Sequence, residues 1–393
     1  MKSRLGLVVP WYGENIPGGA EAACRALARA LQSAGADVEV LTTCVREFAS
    51  DWNDNFHKEG ATVEGGIAVR RFRARRRDTA AFDEVNRKLH SGATPSLSDQ
   101  EIYLRETVRS PSLCDYLDRH RASFVYLFLP YMFGTTYDGV ERCGERSVLI
   151  PCLHDEPQAR MQLLQSVFER ARGVVFLSEA ERRLAASLFN LSAARTAVLG
   201  CPVECAWTGH AERFRARYDL ADYLLYAGRT DAGKGFELLV EYFARYTGHR
   251  PGALKLVVAG GGQCAWPASL GARVVNLGYL DEQTKRDCLA GSLALAVPSA
   301  KESLSLVMME SWLAARPVVA NAACAVTTDF CRLSGGGLYF ANYAEFREII
   351  DELVANRPLA SQLGRQGREY VLANYQPAQV AARYLETLGA WFD

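Results

Sequence analysis

The sequence predicts an α/β protein of two doubly wound, Rossmann-like domains facing a central cleft. Three observations lead there. At 393 residues the chain exceeds one ordinary hydrophobic core. Short apolar runs alternate with segments of helical period along most of its length, the pattern of parallel strands covered by helices on both faces. The alternation breaks once, across "VLGCPVECAWTGHAERFRARYDLAD", and then begins again, which places a linker near Cys201–Asp219. The halves are read as 1–205 and 206–376, followed by a last helix from about 377 to 393.

The elements follow in order. "LGLVVP" is a short buried strand, "WYGENIPGGAE" a loop rich in Gly and Pro, and "AEAACRALARALQSAG" a helix with its apolar residues at helical spacing that stops near Gly35. "DVEVLTT" returns as a strand and completes a βαβ unit. Further strands are expected at Phe124–Pro130, Ser147–Leu153 and Gly173–Ser178. The stretch from about Phe48 to Leu113 reads as less regular. In the second series "YLLYAGR", "ALKLVVAGGG", "ARVVNLGYL", "LALAVPSA" and "RPVVAN" are strands, and "FELLVEYFARYT", "DEQTKRDCLAGS" and "SLVMMESWLAA" are helices. "VVAGGGQ" (Val257–Gln263) lacks the G-x-G-x-x-G spacing of a dinucleotide loop and is read as a tight turn.

Composition narrows the function. With 45 basic and 45 acidic residues the net charge is zero, so no global field draws the chain to nucleic acid. No apolar run reaches the length of a membrane span, and the N-terminal run is too short for a signal peptide. The eleven cysteines are scattered and include no C-x-x-C pair. Cys201, Cys205 and His210 match no standard zinc spacing, so free thiols in a cytoplasmic enzyme are expected, and no metal site. "VRRFRARRRD" (Val69–Asp78) carries six arginines. It reads equally well as contact with an anionic membrane or acceptor and as a charged sheet edge.

Three features sit at the carboxyl ends of predicted strands, where open α/β sheets bind ligands. In "YAGRTDAGKGFELL", Arg229 and Lys234 flank a Gly-containing turn before a helix, so a planar fork and a compact cation can converge on one diphosphate. It is not a Walker loop, because Gly235 follows the lysine. In "SAKESLSLVMMESWLAARPVVAN", Glu302 lies in a loop and Glu310 in a helix beginning near Ser303–Leu306. The free N–H groups of Ser305, Leu306 and Val307 would suit a phosphate oxygen, and Glu310 a vicinal diol. In "VLIPCLHDEP", His154 ends a strand while Asp155 or Glu156 is expected to cap the next helix. No D-x-D pair is present for a metal–diphosphate complex, and the two cations would take over that neutralisation.

Together these segments resemble the retaining glycosyltransferases of family 4, which have the GT-B fold. "ESLSLVMME" is similar to that family's E-x7-E motif, "GRTDAGKG" to its G-R-x4-K-G, and "IPGGAE" (Ile16–Glu21) to its first-domain glycine loop. The run from "GYLDEQTKRDCLAGS" into the acidic motif is also similar. The resemblance covers nearly the whole chain. It implies that Arg229 and Lys234 hold the diphosphate of a nucleotide-sugar donor, that Glu310 holds the ribose, and that Glu302 and His154 face the transferred sugar. Gly18 and Gly19 would let backbone approach the phosphate and acceptor side. It further implies a retaining hexosyltransferase with a glycan, lipid-linked or small-molecule acceptor, no metal or other cofactor, and a C-terminal helix crossing back onto the first domain, anchored by Trp391 and Phe392. GDP-mannose and UDP-hexoses both remain open as donors. A sugar-nucleotide epimerase or hydrolase, or a non-catalytic sugar-nucleotide binder, would share the fold. One departure stands out: Ser305 occupies the place of the family's usual Gly.

Overall fold

The computed structural model describes residues 4–250, 252–262 and 265–392. These form two compact units, one running to Pro202 and joined by the chain from Pro377 onward, the other spanning Val203–Gln376.

The first unit holds β1 (Arg4–Val8), β2 (Val38–Thr43), β3 (Gly60–Glu64), β4 (Ile67–Phe72), β5 (Phe124–Phe128), β6 (Ser147–Leu149), β7 (Gly173–Phe176) and β8 (Arg195–Val198). They lie in the order β3-β4-β2-β1-β5-β6-β7-β8, all parallel except the β3–β4 pair. The central strands β2 and β5 are buried at every residue, as strands covered on both faces must be. The second unit holds β9 (Tyr223–Ala227), β10 (Lys255–Ala259), β11 (Val274–Gly278), β12 (Ala294–Val297), β13 (Val318–Asn321) and β14 (Gly337–Phe340). Their order is β11-β10-β9-β12-β13-β14, all parallel, so the strand order reverses between β9 and β12. In the first unit the reversal falls between β1 and β5.

Several expectations change. β6 ends at Leu149 rather than Leu153, because Pro151 has no N–H to give a ladder and Cys152 turns to φ 50°. β8 and β14 escaped the sequence reading: each has four residues, at a sheet margin where patterning is weak. The stretch Phe48–Leu113 is regular, with the β3–β4 hairpin and helices at Thr79–His90, Leu97–Glu106 and Pro111–His120. β4 is not the sheet edge, because β3 pairs outside it. Its arginines are turned to internal partners: Arg70 to Glu39 at 2.8 Å, and buried Arg71 to Glu64 and the Tyr12 carbonyl. Arg75 meets Glu106 at 3.1 Å, and Arg77 lies over Trp52 and Phe82. Arg73 and Arg76 are exposed. The turn read at Val257–Gln263 ends on a residue outside those described.

The last helix, Pro377–Phe392, belongs to the first unit: Tyr384 donates to the Gly200 carbonyl at 3.0 Å, and Trp391 packs against Gly173. Nearby, buried Glu181 ties together the segments that follow β6 and β7, accepting the Leu153 and Leu177 N–H groups, each at 2.6 Å. In the second unit the helix Leu306–Leu313 is seated by Trp312, fully buried, whose indole donates to the Gly336 carbonyl at 2.7 Å. The long helix Arg357–Asn374 crosses it at Gly367, where a Cβ would lie 2.1 Å from Trp312 Cδ1.

Two expectations follow. Gly→Ala in a helix interior normally stabilises, by up to about 1 kcal/mol; at Gly367 overpacking should reverse the sign, and Gly367→Ala should lose about 1–3 kcal/mol in urea unfolding. A neutral or stabilising result would show that Trp312 shifts freely. Glu181 concerns pH. Burial raises its carboxyl to about 7, against the opposing pull of its two backbone donors. A raised acid pKa adds stability that is present below the unfolded value and lost as pH rises through about 7. Glu181→Gln should therefore cost about 1–3 kcal/mol near pH 5, by turning an amide against a backbone donor, and the gap to the parent should narrow by pH 8. Denaturation at the two pH values measures it; a widening gap would refute the assignment.

Candidate nucleotide-sugar site

The second unit presents its candidate residues on the two loops that flank the reversal of strand order. The first follows β9. There Gly235, at φ 69°, precedes the helix Phe236–His249, and a Cβ on it would fall 2.4 Å from the Pro298 carbonyl. A side chain is excluded by both conformation and space, so the Lys234 loop rests directly on the loop that follows β12. This contact brings Lys234 Nζ to 2.8 Å from Glu302 Oε1, a pair whose carboxylate side is 12% exposed. Arg229 stands more open, with Nε 3.2 Å from Asp231 Oδ2.

The second loop follows β12 and runs into the helix Leu306–Leu313, which starts at Leu306. Ser305 caps it with φ 73° and ψ 79°, left-handed geometry that an L-residue adopts at a cost and that Gly adopts freely. Its side chain adds a second cost: Ser305 is 8% exposed, and its Oγ is buried without a hydrogen-bond partner. A strained backbone carrying an orphaned hydroxyl is the kind of feature that a bound polar group would satisfy. Leu306 and Val307 form the first turn, whose leading N–H groups have no intrahelical acceptors. Met308, Met309 and Trp312 are fully buried and turn the opposite face to the sheet.

Glu310 sits in the second turn, and its Oε1 accepts from Lys285 Nζ at 3.0 Å. Burial raises its carboxyl above the usual range, with Lys285 pulling the other way. Lys285, in the helix Glu282–Gly291, also lies 3.1 Å from Glu282. Sequence reading missed Lys285: its segment reads as a helix and as part of the run resembling the family, and only the packing of two helices joins it to Glu310. The structure thus brings together Lys234 with Glu302, and Glu310 with Lys285, around the start of one helix.

The remaining candidates lie in the first unit, also at carboxyl ends of strands. Gly18, φ 130°, opens the helix Gly19–Ser33, and a Cβ there would lie 2.0 Å from Glu21 Oε2. Apart from its chain neighbours and its own helix's backbone, no described atom lies within 4 Å of a Cβ position on Gly19, so the space above the helix start is open. Glu21 itself is buried and accepts from the Trp11 indole. His154 follows β6, with Nδ1 3.9 Å from Glu156 Oε2. Contrary to expectation, neither acid after His154 caps the turn that follows. Glu156 stands at the start of a short 3-10 turn, Pro157–Arg160, without capping it, because its carboxylate accepts the Tyr131 hydroxyl at 2.9 Å. Asp155 instead pairs with Arg160 at 2.6 Å. Glu181, through the Leu153 N–H, fixes the residue just before His154. Among the described residues no helix is long and apolar enough to cross a membrane.

Known proteins fit this arrangement. The family described as Glycosyl transferase 4-like domain matches residues 18–202, and Glycosyl transferases group 1 matches residues 221–356. The D-inositol 3-phosphate glycosyltransferase of Kineococcus radiotolerans is 32% identical over 188 residues, a match spanning 42% of this chain and 43% of that relative. Sucrose-phosphate synthase from Thermosynechococcus elongatus superposes with a TM-score of 0.68 at 19% identity over 99% of both chains. Anabaena HepE in complex with UDP-glucose gives 0.70 at 13% identity, covering 99% of this chain and all of that one. At such identities the structural likeness is one of fold. The two glycosyltransferase family matches thus follow one another along the chain, one on each of two Rossmann-like sheets, and the fold is GT-B.

Proposed function

We propose that this chain is a retaining hexosyltransferase that moves a hexosyl unit from a nucleotide-diphosphate sugar, GDP-mannose or a UDP-hexose, to a glycan, glycolipid or small-molecule acceptor without a metal. The observation carrying it is the convergence of Lys234, Glu302 and the strained Ser305 helix start at the reversal of strand order in the second sheet. Arg229 and Lys234 neutralise the diphosphate, and the first N–H groups of the helix, from Ser305 to Val307, add the positive end of its dipole. Glu310 accepts the ribose hydroxyls, and Lys285 keeps it from standing as a bare charge. HepE, a protein of like fold, was solved with UDP-glucose, which favours a donor of this class.

In the proposed reaction the bond from the anomeric carbon to the diphosphate oxygen breaks, and its electron pair leaves with the diphosphate. The acceptor oxygen bonds to the same face of the carbon, and its proton passes to the departing diphosphate. Arg229 and Lys234 stabilise the growing negative charge, while Glu302 and His154 orient the sugar. Gly18 and Gly19 leave room on the acceptor side. Exposed Arg73 and Arg76 are what the arginine cluster still offers an anionic membrane for peripheral contact from the cytoplasm. Sedimentation with anionic liposomes at low salt tests that contact, and its absence would remove it.

Arg229→Ala and Glu310→Ala should each lower transfer about 100-fold or more with the fold intact by circular dichroism, on the scale of losing a charged transition-state contact. Full activity in both would refute the assignment. Chelation by EDTA should leave the rate unchanged. Incubation with donor alone separates the alternatives: a freed or epimerised sugar would indicate a hydrolase or epimerase, and nucleotide binding without turnover on any acceptor a non-catalytic binder. Ser305→Gly should raise the unfolding midpoint of the free protein, by removing about 1 kcal/mol of left-handed strain, and should weaken donor binding if the hydroxyl meets the donor. Equal donor affinity in both forms would show that Oγ makes no contact with it.

A further inference from the structure

A second charged pocket lies at the other end of the second sheet, beside the residues that enter β9, β12 and β13. It is a cavity of about 310 Å³ lined by Arg215, Asp222, Arg316, Arg357, Ala360 and Ser361, among others. Its three arginines are compensated unequally. Arg357 donates to Asp222. Arg215 donates to the Gly291 carbonyl at 2.9 Å and lies 3.7 Å from Glu212, whose side chain is 89% exposed. Arg316 forms no ion pair among the described residues, and its Nε is buried without a hydrogen bond.

Arg316 is half-buried, but its Nε lies out of water with no acceptor, which is costly, and two like charges beside it add to that cost. Burial pulls Arg316 below the ordinary arginine value, and Arg215 and Arg357 push the same way. The backbone gives it no escape. Ala315 is held at φ 54°, the Arg316 N–H donates to the Ser311 carbonyl at 2.9 Å, and Ser311 Oγ donates to the Arg316 carbonyl at 3.2 Å. Gly364 of the long helix presses against this turn, since a Cβ there would lie 2.0 Å from the Ala315 carbonyl. The first turn of that helix, Arg357–Asn374, lines the same cavity through Ala360 and the hydroxyl-bearing Ser361. Its positive end therefore adds to the field of the arginines.

We propose that this pocket is a second anion site, which takes a soluble phosphate-type oxyanion, free or as a phosphomonoester, between Arg215, Arg316 and Arg357. Guanidinium forks match such an oxyanion bidentately, and the buried Arg316 Nε asks for an anion that can enter the recess rather than for a flat bilayer surface. The site stands apart from the donor loops, at the amino-terminal rather than the carboxyl ends of the strands.

The test is thermal unfolding in inorganic phosphate against sodium chloride of equal ionic strength. The parent midpoint should rise by about 2–6 °C in saturating phosphate. Lys234→Ala, altered at the donor loops, should keep the rise. Arg316→Met should lose it, and in chloride should be at least as stable as the parent, since it removes an unpaired cation. No phosphate-specific rise in the parent, or a rise of equal size in Arg316→Met, overturns the proposal. Should Arg316→Met fail to fold, Arg215→Gln is read by the same criterion.

Discussion

The seat of one short helix organises the second unit. Leu306–Leu313 has only eight residues, too few to stand alone in water. It holds because Trp312 fills a space walled by Gly336 and Gly367, with its indole N–H bonded to the Gly336 carbonyl. Everything chemical nearby depends on that placement. The start of the helix carries the strained Ser305, its second turn carries Glu310, and the turn after its end holds Arg316. A helix free to slide would lose all three at once, so the glycines at 336 and 367 matter to function although neither bears a functional group.

The second organising constraint is strand order. Parallel strands aim their carboxyl ends the same way, and where the order reverses the two connecting helices part to opposite faces, leaving room for a ligand. β9 and β12 meet at that reversal, and the loops after them carry Arg229, Lys234, Glu302 and Ser305. Gly235 then closes the space between the loops, and the Lys234–Glu302 pair follows from it. Both charges are partly withdrawn from water, and each offsets part of the other's desolvation until a diphosphate competes for the lysine.

Much of this was legible in the residues, and the reasons differ by element. Buried central strands such as β5 read clearly because both faces are apolar, and the helix Glu282–Gly291 because Asp281 caps it and its Gly ends it. Arg229, Lys234, Glu302 and Glu310 stand out through the resemblance of several motifs in order rather than through any one spacing, and all four lie on the loops and helix that follow β9 and β12. What failed was marginal or non-local. β8 and β14 are short and sit at sheet margins. The arginines after Val69 read equally as a membrane or acceptor contact and as a charged edge, because their carboxylate partners, Glu39, Glu64 and Glu106, are not named by local sequence. Glu156 looked like a cap until Tyr131 claimed its carboxylate.

Local sequence was enough for the alternation of strands and helices and for which residue types stand at strand ends. Those depend on local spacing, on glycine and proline, and on patterns within a few turns of chain. Which charges are answered depends instead on how the chain folds. Lys285 reaches Glu310 and Lys234 reaches Glu302 because helices and loops distant in sequence are pressed together. Arg316 has no ion pair among the described residues because the Ser311–Arg316 turn and the helix over it hold it beside two other arginines. Electrostatic compensation is a property of neighbours in space, and a linear chain does not name them.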